Sequence, residues 1–84
     1  MNNKEIWDKI NIAYKADKLF HPTWPDHVCG QAAMVGKEAG YLLNVATEQK
    51  YNRNGLDANT FDPLLESSAI NTIVQAVRFL ENLK

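Results

Sequence analysis

The chain has 84 residues, nine basic and ten acidic side chains, and a formal net charge of −1. A chain of this length forms one domain at most, so residues 1–84 are treated as a single domain. Its charges are well mixed and form no basic stripe, so we expect no nucleic acid partner. Cys29 is the only cysteine, which excludes a disulfide within the chain.

Three further expectations follow from composition. Cys29 has no basic residue beside it, so we expect a small core side chain rather than a reactive thiol. No apolar run approaches the roughly 20 residues that a membrane span needs, so we expect no membrane association. The first residues are polar and lead into amphipathic sequence, unlike an export signal, so the expected location is the cytoplasm.

The first predicted helix runs from about residue 4 to residue 19, with Asn3 as its N-cap. Four positions at helical spacing form its inner face, and three of them are apolar: Ile6, Ile10, Ala13 and Asp17. Pro22 and Pro25 then enforce an extended turn, after which Asp26 is the predicted N-cap of a second helix.

The second predicted helix continues to about Tyr51 and is the longest in the chain. One stripe alternates larger and small apolar residues: Val28, Ala32, Val35, Ala39, Leu42 and Ala46. A neighbouring ridge is very thin, with Cys29, Ala33, Gly36 and Gly40. Each helical glycine costs about 1 kcal/mol, so we expect a compensating close helix contact, within the chain or across a dimer. A backbone opening for a ligand is the alternative.

Residues 52–60 have the composition of a turn, and Asp62-Pro63 is the predicted start of a third helix that reaches about Leu83. Its predicted apolar stripe comprises Leu65, Ala69, Ile73, Ala76, Leu80 and Leu83. We therefore predict an all-α fold, an antiparallel helical hairpin with a shorter N-terminal helix. The apolar faces are too wide for one layer of helices, which predicts a homo-oligomer, dimer or tetramer, with a four-helix-bundle core.

Polar residues lie beside the apolar faces of the second and third helices and could meet at a shared seam. They are Gln31, Tyr41, Ser68, Asn71 and Gln75. The favoured interpretation is a neutral hydrogen-bonded network that sets the helix register, because buried amides and hydroxyls need partners. The alternative is that the seam is a binding site.

Two segments of the chain resemble the MazG-like nucleotide pyrophosphohydrolases. Trp24-Pro25 followed by residues 31–42 (QAAMVGKEAGYL) is similar to the family helix that carries Glu-Glu-x-x-Glu. Residues 69–80 (AINTIVQAVRFL) are similar to the partner helix that carries Glu-x-x-Asp. The likeness is strongest to small phage and bacterial members of the family.

The resemblance implies a helical dimer or tetramer that splits a nucleoside triphosphate into monophosphate and pyrophosphate. In that family, carboxylates from both helices hold Mg²⁺. Here the three positions of the first motif fall on Lys37, Glu38 and Tyr41, and the two of the second on Ser68 and Asn71. Only Glu38 keeps a carboxylate, so it is the candidate metal ligand, and Mg²⁺ is expected only if the family site survives.

The expected function is therefore that of a MazG-like domain that has lost catalysis and kept nucleotide binding. One alternative is an active Mg²⁺-dependent pyrophosphohydrolase with a reduced site around Glu38. The other is a helical oligomerisation or interaction module that binds no nucleotide. No catalytic residue is assigned, and a homo-oligomer and a nucleotide are the expected partners.

Four more residues are candidate nucleotide contacts. Lys37, Lys50 and Arg53 could contact phosphates, although solvated surface charge is the simpler explanation for each. Trp24, held between two prolines, could stack on a nucleobase. A tryptophan in such a turn more often closes the open end of a helical core.

Overall fold

The computed structural model describes residues 1–51 and 58–83, with backbone only for residues 58 and 59. It contains three helices, α1 (Asn3–Phe20), α2 (Val28–Tyr51) and α3 (Ala58–Glu81), and the described residues form no strand. The predicted all-α class and the shorter first helix are confirmed. Of the predicted turn at residues 52–60, residues 58–60 are helical, so that part of the prediction is wrong, and residues 52–57, which include Arg53, lie outside the described residues.

Helix α1 is capped one residue earlier than predicted. The Asn2 side chain, not that of Asn3, accepts a hydrogen bond from the backbone N–H of Glu5 at 2.9 Å. Asn2 is extended (φ −85°, ψ 169°), as an N-cap residue should be. At the other end, His21 leaves the helical conformation because Pro22 follows it.

The predicted N-cap of α2 is also wrong. The helix begins at Val28, and His27 rather than Asp26 caps it. The His27 ring nitrogen Nδ1 accepts from the Cys29 N–H at 3.1 Å, and the His27 carbonyl accepts from the Gln31 N–H at 3.0 Å. Asp26 lies in the bend before the helix, one residue too early to reach these donors. The chain is helical up to Tyr51, the last described residue before the gap, as predicted.

Helix α3 begins at Ala58, so the predicted start at Asp62-Pro63 is wrong. Pro63 lies inside the helix, in its second turn. Proline at this position removes one backbone hydrogen bond, but its fixed φ is compatible with a helix. The side chain of Phe61 is buried, and this burial anchors the turn that precedes the proline.

Helix α3 is the central element and packs against both other helices. Its C-terminal half lies beside the N-terminal half of α2, since Ala76 and Leu80 border the same groove as Ala32 and Gly36. Those two helices are therefore antiparallel. Helix α1 runs in the same direction as α3. Its Lys9 pairs with Glu66 at 2.6 Å, and contacts nearer its C-terminal end reach the last turns of α3.

The hydrophobic core is small for three helices. Its buried apolar residues are Ile10, Val45, Phe61 and Val74. On α3 the buried face carries Ser68, Gln75 and Arg78, whereas Ile73 and Leu80 of the predicted stripe are exposed. The helix is therefore rotated relative to the prediction.

Cys29 is exposed, so its prediction as a core residue is wrong. The reason is that α3 covers only one side of α2, and the thin ridge of α2 faces outward. Gly36 and Gly40 on this ridge have no atom of another element within 4 Å of an added Cβ. Within the described part of the chain, none of the helices combines the length and apolarity needed to cross a membrane.

Candidate binding cleft

Helices α1 and α2 both pack on α3 but leave a gap between them, which we call the α1–α2 cleft. One lobe has a volume of about 390 Å³, within the size range of small-ligand sites, and a second lobe has about 270 Å³, slightly below that range. Both lobes share four residues: Asp17, His21, Glu38 and Gln75. Asn71 lines the first lobe, and Met34, Lys37 and Arg78 line the second.

A buried ion pair forms one wall of the cleft. The Arg78 guanidinium donates to the Asp17 carboxylate at 2.7 Å and to the His21 carbonyl at 2.9 Å. The Arg78 side chain is 5% exposed and the Asp17 side chain 20%. The pair joins the C-terminal end of α1 to α3 and fixes the position of the turn that follows α1.

The same arginine is covered by Trp24. The guanidinium carbon lies 4.7 Å from the centre of the Trp24 ring, within cation–π distance. The indole N–H is buried and has no hydrogen-bond partner in the described residues. Trp24 borders a separate concavity beside Pro22 and Asn82, not the α1–α2 cleft. It closes the end of the helical layer, and Arg78 occupies one of its ring faces.

Gln75 lines the cleft and is held by the buried ion pair. Its Nε2 donates to Asp17 at 3.2 Å, and its Oε1 is buried without a partner among the described residues. Nearby, the half-buried Glu38 carboxylate and the exposed Asn71 amide make no hydrogen bond to the described part of the chain. The polar groups that a ligand in the cleft could meet are therefore those of Glu38 and Asn71.

The predicted polar seam is only partly assembled. Asn71 and Gln75 share the cleft with Glu38. Gln31 is buried but donates to the Pro25 carbonyl at 2.9 Å, which ties the turn to the first turn of α2. Ser68 is fully buried and donates to the Leu64 carbonyl, four residues earlier, at 2.6 Å.

The other predicted contacts are dispersed. Tyr41 is about half exposed and lies beside Lys37 and Glu38 on the outward side of α2. Lys37 borders both this surface and the second lobe of the cleft. Lys50 lies twelve residues beyond Glu38, about 18 Å along the helix, with its ammonium 5.3 Å from the centre of the Tyr51 ring.

The residues of the cleft do not fit a Mg²⁺ site. Glu38 and Asp17 are the carboxylates that line the cleft, and the carboxylate of Asp17 is committed to Arg78. Across the described ranges, no group of three or more His, Cys, Asp or Glu residues is arranged to hold a metal. Lys37 adds a positive charge at the same lobe as Glu38.

Asp17 and Arg78 are the main residues that sequence reasoning missed. Each has a recognisable signal. Asp17 occupies the fourth position of an otherwise apolar stripe, and Arg78 interrupts the apolar run of residues 76–80. An acid and a base that each lie on an apolar face of different helices are typical of a buried pair, since neither can be buried alone.

Outside the cleft, α1 and α3 also meet at an exposed cluster of Tyr14, Lys18 and Glu81. The Tyr14 hydroxyl donates to the Glu81 carboxylate, and the Lys18 ammonium donates to Tyr14 at 3.2 Å. The hydrogen bond with Tyr14 and then the charge of Glu81 raise the pKa of Lys18 above its ordinary value. The cluster lies in solvent and holds the helix ends together, and its Lys18 and Glu81 also line the concavity beside Trp24.

On the opposite side of α3 from α1 lies an open apolar groove of about 400 Å³, which we call the α2–α3 groove. Its lining consists of Ala32, Val35, Gly36, Ala76, Phe79 and Leu80. Small residues on α2 form one side of the groove, so a further helix would meet little side-chain bulk there.

Comparisons of the chain with protein-family models, curated proteins and solved structures found no match.

Proposed function

We propose that this chain binds a nucleotide in the α1–α2 cleft without hydrolysing it, and that it does so as a homo-oligomer. The observation that carries the proposal is that Gln75 lines the cleft together with Glu38 and Asn71, two side chains that make no hydrogen bond to the described part of the chain. These three residues belong to the two segments that resemble the MazG-like family, and they converge on one ligand-sized cavity.

The rigid wall of the cleft supports a binding role. Asp17 and Arg78 satisfy each other, and Asp17 also holds the Gln75 amide in one orientation. Side chains that are already ordered lose little conformational freedom when a ligand binds beside them. At the edge of the cleft, the exposed Lys37 provides a positive charge for a phosphate. Lys50 lies too far along α2 to contact the same ligand.

Loss of hydrolysis follows from the poor fit to Mg²⁺. Metal-assisted phosphoryl chemistry uses one or two carboxylates plus the substrate phosphates to hold Mg²⁺. Glu38 is the only uncommitted carboxylate among the residues lining the cleft, and Lys37 would repel a divalent ion. We therefore assign this chain a binding function and derive no hydrolytic step.

A thermal melt with each nucleoside triphosphate, with and without Mg²⁺, tests the binding proposal. Ligand at 100 times its dissociation constant adds about 2.7 kcal/mol to the free energy of unfolding. We expect a rise in melting temperature that needs no Mg²⁺, and no release of pyrophosphate. Asn71→Ala should abolish the rise, because this exposed amide lines the cleft. Asn11→Ala, at an exposed position on α1, is the matched control.

The same experiment separates the two alternative functions. A shift that requires Mg²⁺, with pyrophosphate released, would establish a working pyrophosphohydrolase around Glu38. If no nucleotide alters the melt of a properly assembled oligomer, the chain is an interaction module.

A second observation favours homo-oligomer formation. The accessible surface of the chain is 6052 Å², about 1,000 Å² more than the roughly 5,050 Å² expected for a compact monomer of 9.5 kDa. A stable dimer buries about 800 Å² per partner, so the excess is the size of one interface. The α2–α3 groove is the suited surface. A helix pair from a second copy would complete a four-helix-bundle core there.

A further inference from the structure

The two lobes of the α1–α2 cleft differ in their chemistry. On the first lobe, α1 contributes three apolar residues, Ala13, Ala16 and Phe20. None of these lines the second lobe, which is bordered instead by the polar residues Thr23 and Lys37, among others. The lobes adjoin, because they share four lining residues. One ligand can therefore extend from an apolar part of the cleft into a polar part.

Phe20 supplies an exposed aromatic ring at the first lobe. It lines this lobe and is 73% exposed, so it contributes little to the packing of the single chain. Aromatic rings of this kind bind nucleobases by stacking, whatever the base, because every base has a π-face. Trp24 cannot take this role, since it borders a different concavity and Arg78 covers one of its ring faces. The first lobe is therefore suited to the base.

The charges of the lining limit the number of phosphate groups that the cleft favours. Asp17 and Arg78 neutralise each other. Among the described residues of the lining, Lys37 carries the only uncommitted ammonium or guanidinium group, and Glu38 borders the same lobe. One phosphate group can pair with Lys37, whereas further phosphates add negative charge near Glu38 without another cation. Like charges repel through space, so this effect needs no contact between Glu38 and the ligand.

We infer that the preferred ligand of the cleft is a nucleoside monophosphate, with its base on Phe20 in the first lobe and its phosphate at Lys37 in the second. The inference rests on the proposed nucleotide-binding function and specifies the class and orientation of the ligand. The described residues offer no group of carboxylates that would hold Mg²⁺ and so offset the charge of a longer phosphate chain.

Two ligand series test the preference, namely adenosine, AMP, ADP and ATP, and the corresponding cytidine compounds. Their dissociation constants would be measured by calorimetry on the full chain without Mg²⁺. We expect each monophosphate that binds to do so about tenfold more tightly than its triphosphate, because of the uncompensated charge. The difference should shrink as the salt concentration rises, since salt screens the repulsion. The nucleoside should bind more weakly than the monophosphate, because it cannot pair with Lys37.

A first pair of variants assigns the base to the first lobe. Phe20→Ala should weaken the binding of the monophosphate about fivefold or more, because stacking on the ring is lost. Leu19→Ala is the matched control. Leu19 is the neighbouring residue and is 74% exposed, but it lines neither lobe, so its loss should leave the affinity unchanged.

Charge variants assign the phosphate to the second lobe. Lys37→Met should lower the affinity for the monophosphate to that for the nucleoside. Glu38→Gln should bring the triphosphate closer to the monophosphate, because the repelling charge is removed. Lys15→Met is the matched control, since it removes a positive charge from an exposed position that lines neither lobe.

The outcomes separate this inference from the function on which it rests. A triphosphate that binds as tightly as its monophosphate, or more tightly, would overturn the preference and leave nucleotide binding standing. The absence of binding by every compound of both series would overturn both. If Phe20→Ala and Lys37→Met leave the affinity for the monophosphate unchanged, the assigned orientation is wrong.

Discussion

At the scale of single residues, Arg78 joins three parts of the described chain. It pairs with Asp17, donates to the turn at His21 and lies under Trp24. A buried ion pair is costly to form, but the loss of one partner leaves the other charge buried without compensation. Arg78 therefore links α1, the turn and α3 in one interaction.

We expect Arg78→Met to lower the free energy of unfolding by about 3 kcal/mol, the lower end for a broken buried pair because Asp17 retains some access to water. Lys9→Met is the matched control. The ion pair of Lys9 with Glu66 joins the same two helices, but its side chains are 45% and 35% exposed, so its loss should cost less than about 1 kcal/mol. Urea unfolding measures both.

A double variant strengthens the test. Asp17→Leu combined with Arg78→Met removes both charges and should recover part of the loss, because no buried charge then lacks a partner. Equal effects of Arg78→Met and Lys9→Met would contradict the structural role of the buried pair.

The residue scale is also where the sequence was least informative about the site. Glu38, Asn71 and Gln75 were identified as candidates from their polarity on helix faces. Their grouping with Asp17 was not, because it depends on α1 lying against α3, and periodicity gives the inner face of a helix but not its neighbour. The rotation of α3, which buries Ser68 and exposes Leu80, likewise follows from the Asp17–Arg78 pair.

At the scale of elements, the thin ridge of α2 is the feature that the isolated chain does not explain. An added Cβ at Gly36 or Gly40 meets nothing within 4 Å, so neither glycine is needed for packing inside the chain. A helical glycine still costs about 1 kcal/mol relative to alanine. The described residues do not supply the offsetting contact expected from sequence, so the open ridge is available for the proposed contact between copies.

We expect Gly36→Ala to stabilise the monomer by about 0.5–1 kcal/mol and to weaken association between copies. The monomer gains stability because alanine reduces the conformational freedom of the unfolded chain. Association weakens because the added methyl group lies where a second helix would approach. Urea unfolding at concentrations below association, with sedimentation at higher concentration, measures the two effects separately.

Gly30→Ala is the contrasting variant. Its Cβ would lie 3.0 Å from the Pro25 Cβ, so the turn must shift and the gain in stability should disappear. Stronger association in Gly36→Ala than in the native chain would argue against close approach at this ridge.

At this scale, the sequence predicted that three helices form but did not predict where each helix begins. Long apolar periodicity predicted three helices, and α2 is helical up to Tyr51, as expected. Each N-terminus was displaced because several neighbouring residues offered suitable caps, such as Asn2 and Asn3, or Asp26 and His27. At α3 the burial of Phe61 outweighed the proline signal at residue 63.

At the scale of the whole molecule, the apolar helix faces predicted from the sequence are wider than three helices of one chain can bury. The exposed surface agrees with that expectation, since the α2–α3 groove and the α2 ridge lie in solvent in the single chain. With four buried apolar side chains among the described residues, the core is small for a domain of this size. Stability and association should therefore be coupled.

We expect Leu80→Glu to convert the oligomer into monomers at micromolar concentration, with little change in the stability of the monomer itself. Leu80 is 65% exposed in the single chain and lines the α2–α3 groove, so a charge there is hydrated in the monomer and desolvated in the interface. Leu19→Glu is the matched control, since Leu19 is 74% exposed on α1 and does not line the groove.

Sedimentation equilibrium of the native chain and both variants gives the mass directly. Dissociation by Leu80→Glu alone would assign the interface to the groove. Equal dissociation by both variants would move the interface to a surface that includes α1, and a native mass equal to one chain would overturn the assembly altogether. The cleft opens between α1 and α2, away from the groove, so a monomeric Leu80→Glu variant that still binds nucleotide would show that each copy carries a complete site.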